Sequence, residues 1–151
     1  MAALASRRLL SRRLLGLLAR VPWRSLGVRW VLVFGGLARR GVGGDVDLLV
    51  MPGPRIIEGM GPLWRIELAG LVAEELELDW GLVDVVDARD APCPVVFDAW
   101  RHGVMVYEEE PGMARDWLLV RVSICSDYEL AVKRLGVEQA ALGAARRRWP
   151  R

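Results

Sequence analysis

The stretch VLVFGGLARRGVGGDVDLLV, residues 31–50, joins an apolar strand, a double glycine, a short basic glycine-rich loop and a second apolar strand that opens with two aspartates. Because side chains alternate between the faces of a strand, Asp45 and Asp47 are expected to project from the same face. Two carboxylates on one face repel each other unless a cation lies between them, and oxygen ligands suit a hard divalent cation. Gly35 and Gly36 can bring backbone N–H groups close to a phosphate. This stretch therefore predicts a metal and phosphate site.

The composition is that of a folded globular protein. The chain has 151 residues, of which 53% are hydrophobic and 26% are charged, and this predicts a single domain, residues 1–151. No apolar run approaches the roughly 18 residues of a membrane span, so no membrane partner and a cytoplasmic location are expected. Cys93 and Cys125 are the two cysteines, without a CxxC pair or clustered histidines. Neither a disulfide framework nor a zinc site is expected.

The order of predicted elements indicates an α/β or α+β fold, in which helices pack on a small mixed sheet. Within it, residues 1–27 are assigned to an N-terminal helix, residues 28–110 to a catalytic core and residues 111–151 to a C-terminal helical segment. The N-terminal helix is predicted over residues 4–21. Its Arg-rich, acid-free composition also resembles a transit peptide, but a packed helix is favoured.

The remaining elements follow from hydrophobic periodicity and from the positions of glycine and proline. A loop is expected at residues 35–44, and because this connection is short, the strands on either side should pair antiparallel. Strands are predicted at residues 29–34, 45–51, 82–86 and 103–107, and helices at residues 62–78, 95–101 and 112–147, the last with a break point at Gly136.

Charge is distributed unevenly along the chain. Residues 1–40 contain nine arginines and no acidic residue, whereas residues 41–110 contain fifteen acidic residues and four arginines. An acidic middle segment between basic ends suits a metal–carboxylate centre beside a phosphate-binding surface. Helices with ordinary solvated charges would give the same pattern.

A third carboxylate lies inside a predicted strand. Asp84 stands between Val83 and Val85, and an aspartate buried there without a partner would be costly. If this strand lies beside that of Asp47, Asp84 joins the same face, while Asp87, three residues later, faces the other side. Each feature taken singly has another explanation. A double glycine can form only a turn, an Asp-x-Asp sequence can lie at a solvated strand end, and Asp84 can pair with an arginine. Their joint occurrence in this order favours a metal site.

The same residues resemble the signature of the DNA polymerase β-like nucleotidyltransferase superfamily. The closest resemblance is to its minimal nucleotidyltransferases, small proteins often encoded beside a HEPN-domain partner. GGLARRG, residues 35–41, stands where that family typically has Gly-Ser-Arg-Ala-Arg-Gly, and HGVMVYEEE, residues 102–110, resembles its short strand ending in Tyr-Glu. The chain departs from the family at Gly36, usually serine, at Leu37, usually arginine, and in the eight-residue loop between Gly36 and Asp45, which is shorter than usual.

The resemblance implies a polymerase-β-like nucleotidyltransferase fold and transfer of AMP from ATP to a hydroxyl of a partner protein, as by an antitoxin that modifies a HEPN toxin. It further implies that two Mg²⁺ ions are held by carboxylates and that phosphate is held by the loop. The implied metal ligands and catalytic residues are Asp45, Asp47 and Asp84, the last also a candidate base. The implied nucleotide-binding residues are Gly35, Gly36, Arg39 and Arg40.

Two other functions stay open. A binding module could neutralise its partner by contact alone, and the departures at Gly36 and Leu37 motivate this reading. Transfer to a small hydroxylated molecule is the other, although the chain is short for a second substrate-binding domain. A Walker A loop is excluded because the only lysine is Lys133, and the single His102 argues against a catalytic triad. No nucleic-acid partner is expected, a homo-oligomer is compatible with the sequence, and the tryptophans are expected mainly as core or interface anchors.

Overall fold

A mixed four-stranded sheet in the order β3-β2-β1-β4 organises the chain. The computed structural model describes residues 13–41 and 44–136, together with residues 140, 143, 144 and 147. The strands are β1 (Val28–Phe34), β2 (Val46–Pro52), β3 (Val83–Asp87) and β4 (Val104–Glu108). As predicted, β1 and β2 pair antiparallel; β1 also pairs antiparallel with β4, and β2 pairs parallel with β3.

Seven α-helices between residues 13 and 136 accompany the sheet. In chain order they are α1 (residues 13–18), α2 (Trp23–Leu26), α3 (Gly35–Arg40), α4 (Pro54–Met60), α5 (Trp64–Glu75), α6 (Cys93–His102) and α7 (Met113–Leu135). The crossover that a parallel pair requires is made by α4 and α5, between β2 and β3. None of the described helices is both long enough and apolar enough to span a membrane.

Both faces of the sheet are covered, because β1 alternates two sets of apolar side chains. Val31 and Val33 belong to a core that includes residues of α1, α2 and α5, whereas Leu32 belongs to a core with residues of α6 and α7. Leu14 and Leu18 of α1 are buried in the first core. This packing agrees with the N-terminal helix; residues 1–12 of that prediction lie outside the described residues. The predicted mixed α/β fold is confirmed.

Two details differ from the sequence-based predictions. The expected loop 35–44 begins as helix α3, because the good helix formers of the sequence Leu-Ala-Arg-Arg follow the two glycines and Gly41, at φ +65°, ends the helix. Helices α2 and α4 were not expected; α4 starts at Pro54, in the first helical position that proline favours. The predicted break of the C-terminal helix at Gly136 is confirmed, because α7 ends at Leu135 with Gly136 as its left-handed cap; most of residues 137–151 lie outside the described part.

A disulfide bond links α6 to α7, although no disulfide framework was expected from the sequence. It joins Cys93 to Cys125, whose Cα atoms lie 5.7 Å apart. The two cysteines are separated by 32 positions and belong to no local motif, so only the packing of α6 against α7 brings them together.

Candidate active site

The candidate site lies where the first residues of β2 and β3 meet. In the parallel register of these strands Asp47 lies directly beside Asp84, and Asp45 precedes β2 by one residue. All three aspartates line one open pocket of about 550 Å³. The strand that carries Asp84 therefore does lie beside that of Asp47. Asp87 is buried and is paired with Arg89 at 2.8 Å, away from this pocket, as its position in the strand predicted.

Asp47 is the half-buried member of the set, while Asp45 and Asp84 are exposed. Burial raises the pKa of the Asp47 carboxyl, and repulsion by Asp84, Asp45 and Asp98 raises it further, against a smaller opposite effect of Arg39. Arg65 also lines the pocket, so its charged lining among the described residues is three aspartates against one arginine, and the pocket is acidic.

This donor set fits a hard divalent cation such as Mg²⁺. Carboxylate oxygens are the ligands that such ions prefer, and a bound cation would remove the repulsion around Asp47. In the described residues, however, no three His, Cys, Asp or Glu side chains are grouped closely enough to hold a metal ion without moving. The aspartates share a pocket, and their carboxylates would have to converge on the ion.

The raised pKa of Asp47 predicts a pH-dependent stability in the absence of divalent cations. The folded protein holds the Asp47 proton more tightly than the unfolded chain, whose value is near 3.8, so this contribution is lost as the pH rises through the folded-state pKa. We therefore expect Asp47→Asn to become more stable relative to the wild type as the pH rises above about 4, measured as the difference in free energy of unfolding. Urea denaturation in EDTA would measure it, with Asp90→Asn as control. A difference between Asp47→Asn and wild type that does not change with pH would contradict the prediction.

Gly35 packs directly against Asp47. It is buried, has φ +77°, and a Cβ at this position would overlap the Asp47 Oδ2 atom. A glycine is therefore required here both by the backbone conformation and by the close approach of the carboxylate. Gly35, the first glycine of the double-glycine signature, therefore leaves the space in which the Asp47 carboxylate lies.

Asp98, which the sequence analysis did not single out, completes the surroundings of Gly35. Its Oδ2 accepts a hydrogen bond of 2.8 Å from the Gly35 N–H, and its Oδ1 lies 3.4 Å from Nη1 of Arg39. The Gly35 amide and the Arg39 side chain were both predicted to bind phosphate. In the structure both contact the carboxylate of Asp98. Asp98 lies on α6, 63 positions from Gly35, and no local motif marks it.

Replacing Asp98 tests how much this anchor contributes to stability. We expect Asp98→Ala to lower the free energy of unfolding by about 1–3 kcal/mol, because the buried N–H of Gly35 would lose its acceptor. Asp98→Asn keeps a side-chain acceptor and should cost less than half of that. Urea denaturation of the two variants measures the effect, and equal stability of both would argue against a role for this hydrogen bond.

The other predicted residues fall into two groups. Gly36 is half-buried in the first turn of α3, and Arg40 is exposed at the end of that helix. Leu37, which stands where the resembling family usually has an arginine, is only 2% exposed and belongs to the core. Its side chain supports α3 from the core and does not line the carboxylate pocket.

An apolar wall of the pocket was also missed by the sequence analysis. Trp80 and Ile66 line it and are 72% and 61% exposed, although the tryptophans were expected mainly in the core. That expectation holds for Trp23, Trp30 and Trp64, which are buried. An exposed indole beside a carboxylate cluster is a surface on which a flat ring can stack.

Solved structures of toxin–antitoxin proteins share this fold. One is described as the tri-AMPylated Shewanella oneidensis HEPN toxin in complex with MNT antitoxin (TM-score 0.54, 19% identity, 90% of this chain and 98% of that chain covered). A toxin–antitoxin structure with AMP-PNP has a TM-score of 0.55 and 20% identity, and a mutant MntA–HpeT toxin–antitoxin has 0.57 and 18%; both cover 87% of this chain and 98% of the other. The sequence matches no protein-family model and no curated protein.

These likenesses extend over nearly the whole length of the compared chains. At such low identity they establish the fold, and the chain therefore has the fold of the minimal nucleotidyltransferase antitoxins, as the sequence resemblance implied.

Proposed function

We propose that this protein is a Mg²⁺-dependent adenylyltransferase that moves AMP from ATP to a hydroxyl of a HEPN-domain partner and thereby acts as its antitoxin. The observation that carries the proposal is the side-by-side register of Asp47 and Asp84, with Asp45 in the same pocket and like charges raising the pKa of Asp47. The AMPylated toxin and the AMP-PNP named for two proteins of the same fold support it. A cytoplasmic location is part of the proposal.

In this proposal Asp45, Asp47 and Asp84 hold the metal ions. Bound Mg²⁺ would supply the positive charge that offsets the phosphates and would make the acceptor hydroxyl more acidic. The acceptor oxygen bonds to the α-phosphorus as the bond to the β-phosphate oxygen breaks, so that pyrophosphate leaves. The exposed Asp84 takes the hydroxyl proton.

Residues of α3 beside the pocket and two residues of its lining hold the nucleotide. The backbone N–H of Gly36 lies near the start of α3, and the Arg39 side chain is paired with Asp98. Both groups can donate hydrogen bonds to phosphate oxygens. The Gly35 N–H stays with Asp98 and keeps α3 in place beside Asp47. Trp80 and Ile66 offer the apolar surface against which the base can lie.

The proposal is tested with the purified protein, ATP labelled at the α-phosphate, Mg²⁺ and the HEPN-domain protein encoded beside it. We expect label on the partner, no label in EDTA and no label from ATP labelled at the γ-phosphate. An α-phosphate label that never reaches the partner, under conditions in which the two proteins form a complex, would contradict the proposed activity.

The second candidate is an antitoxin that works by contact alone. The buried Leu37 in place of an arginine and the engagement of Arg39 and Gly35 by Asp98 favour it, because they leave fewer free groups for a triphosphate. Calorimetric titration with ATP and Mg²⁺ separates the two. Metal-dependent nucleotide binding that is lost in Asp47→Asn supports the enzyme, and neutralisation of the toxin without any nucleotide binding supports the contact mechanism.

A further inference from the structure

A second pocket, of about 520 Å³, lies at the end of the sheet opposite the carboxylates. Arg29 near the start of β1, Gly53 just after β2 and Tyr107 of β4 line it. Asp47, by contrast, pairs with Phe34 at the last residue of β1. A seven-residue strand spans roughly 20 Å, so the two pockets are separate sites.

The charged side chains of this second pocket are mainly basic. Arg24, Arg29 and Arg55 line it, and Glu109 is its acidic member. The carboxylate of Glu109 is paired with Arg29 at 3.6 Å. Arg55 donates to the carbonyl of Ser25 at 3.4 Å, and Arg24 makes no ion pair with any residue that the structure describes. The pocket therefore carries a surplus of positive charge.

Two glycines fix the shape of the pocket floor. The Gly53 N–H donates to the Gly27 carbonyl at 2.9 Å, and a Cβ at Gly53 would lie only 2.7 Å from that oxygen. Gly27 has φ +84°, and a Cβ there would lie 2.9 Å from the Cβ of Arg55. Two backbone segments thus pack face to face and hold the base of the Arg55 side chain, so the pocket is built on close-packed backbone and not on flexible side chains alone.

Tyr107 adds a neutral donor. Its hydroxyl is buried and has no hydrogen-bond partner among the described residues. A hydroxyl and arginine side chains together offer several N–H and O–H donors to one ligand and, apart from the paired Glu109, few acceptors. Planar guanidinium groups bind the oxygens of phosphate in pairs, so the matching ligand is an anion with several oxygen atoms.

We propose that this pocket binds the phosphate groups of a small molecule, either an inorganic polyphosphate or a nucleotide, independently of the carboxylate site. The volume is within the range of pockets that hold small ligands. This inference goes beyond the proposed transfer activity and does not depend on it, because no residue is shared between the two pockets.

Metal-free calorimetry tests the proposal. In EDTA and at low ionic strength the carboxylate pocket repels polyanions, so binding of pyrophosphate or of ADP reports the basic pocket. We expect one molecule of either probe to bind to the full-length protein. Similar affinity for both indicates recognition of the phosphates, and tighter binding of ADP indicates additional contacts to the nucleoside; both results support the site.

The variants distinguish this pocket from the rest of the surface. We expect Arg24→Gln combined with Arg55→Gln to weaken binding roughly tenfold or more, and Tyr107→Phe to weaken it about threefold, since each removes donors. Tyr107→Phe should keep the stability of the wild type, because the hydroxyl bonds to no described residue. Arg115→Gln on α7 and Asp47→Asn are the controls and should bind as the wild type does.

Several results would overturn the proposal. They are the absence of binding of both probes to the wild type, binding that is unchanged in the arginine and Tyr107 variants, and binding that is lost in Asp47→Asn. Binding of an oligoglutamate peptide without binding of either phosphate probe would also overturn it, in favour of an acidic protein partner.

Discussion

Asp47→Asn is expected to lower the rate of AMP transfer to the partner by roughly a thousandfold, which corresponds to about 4 kcal/mol of transition-state stabilisation. Asp47 lies beside Asp84 of the neighbouring strand and two residues after Asp45. It is therefore the carboxylate most able to bridge the metal ions that the three aspartates would hold. An amide at this position keeps the shape of the side chain and loses its charge. The initial rate of label transfer from ATP measures the effect.

Asp90→Asn is the matched control, since it makes the same chemical change at an exposed aspartate beyond the far end of β3. It should transfer AMP as the wild type does. Asp47→Asn should also be at least as stable as the wild type in EDTA, because it removes a carboxyl whose pKa burial and like charges raise. A variant that is folded, stable and within tenfold of the wild-type rate would contradict the metal-binding role of Asp47.

Gly35→Ala is expected to damage both the stability and the activity of the protein. The left-handed backbone conformation costs a residue with a Cβ roughly 1–2 kcal/mol. The overlap of the new Cβ with Asp47 Oδ2 in a buried place adds to this, so we expect a total loss of about 2–4 kcal/mol in the free energy of unfolding. Because relief of the overlap must move the Asp47 carboxylate, transfer should fall at least tenfold even at temperatures where the variant is folded.

Gly112→Ala separates the two causes. Gly112 also has a positive φ, +85°, but a Cβ there would meet no atom within 4 Å. Gly112→Ala should lose only the roughly 1–2 kcal/mol that the left-handed backbone costs, and its rate of AMP transfer should equal that of the wild type. Denaturation and initial rates of both variants therefore isolate the contribution of the contact with Asp47. Equal losses of stability and equal rates in the two variants would show that the close approach has no consequence.

Much of the fold was predictable because its signals are local. The alternation of apolar residues placed β1, β2 and β3 to within one or two residues, and the short connection after Phe34 required antiparallel pairing. The same alternation put Asp87 on the face opposite Asp84. Helix α3 escaped prediction because its two glycines suggested a turn, whereas its buried Leu37 shows that packing on the sheet stabilises the helix.

Some features of the candidate site were likewise predictable from local sequence, and others were not. The sequence by itself determined which carboxylates share a face, since a strand repeats every two residues whatever surrounds it. Only the tertiary structure decided that β3 lies beside β2 with Asp84 next to Asp47, that Asp98 reaches the Gly35 amide from α6, and that Cys93 meets Cys125. Arg24, Arg29 and Arg55 likewise come together in one pocket only when β1 and β2 pair. Contacts between residues far apart in the chain depend on the packing of whole elements, and a local pattern of residues does not encode that packing.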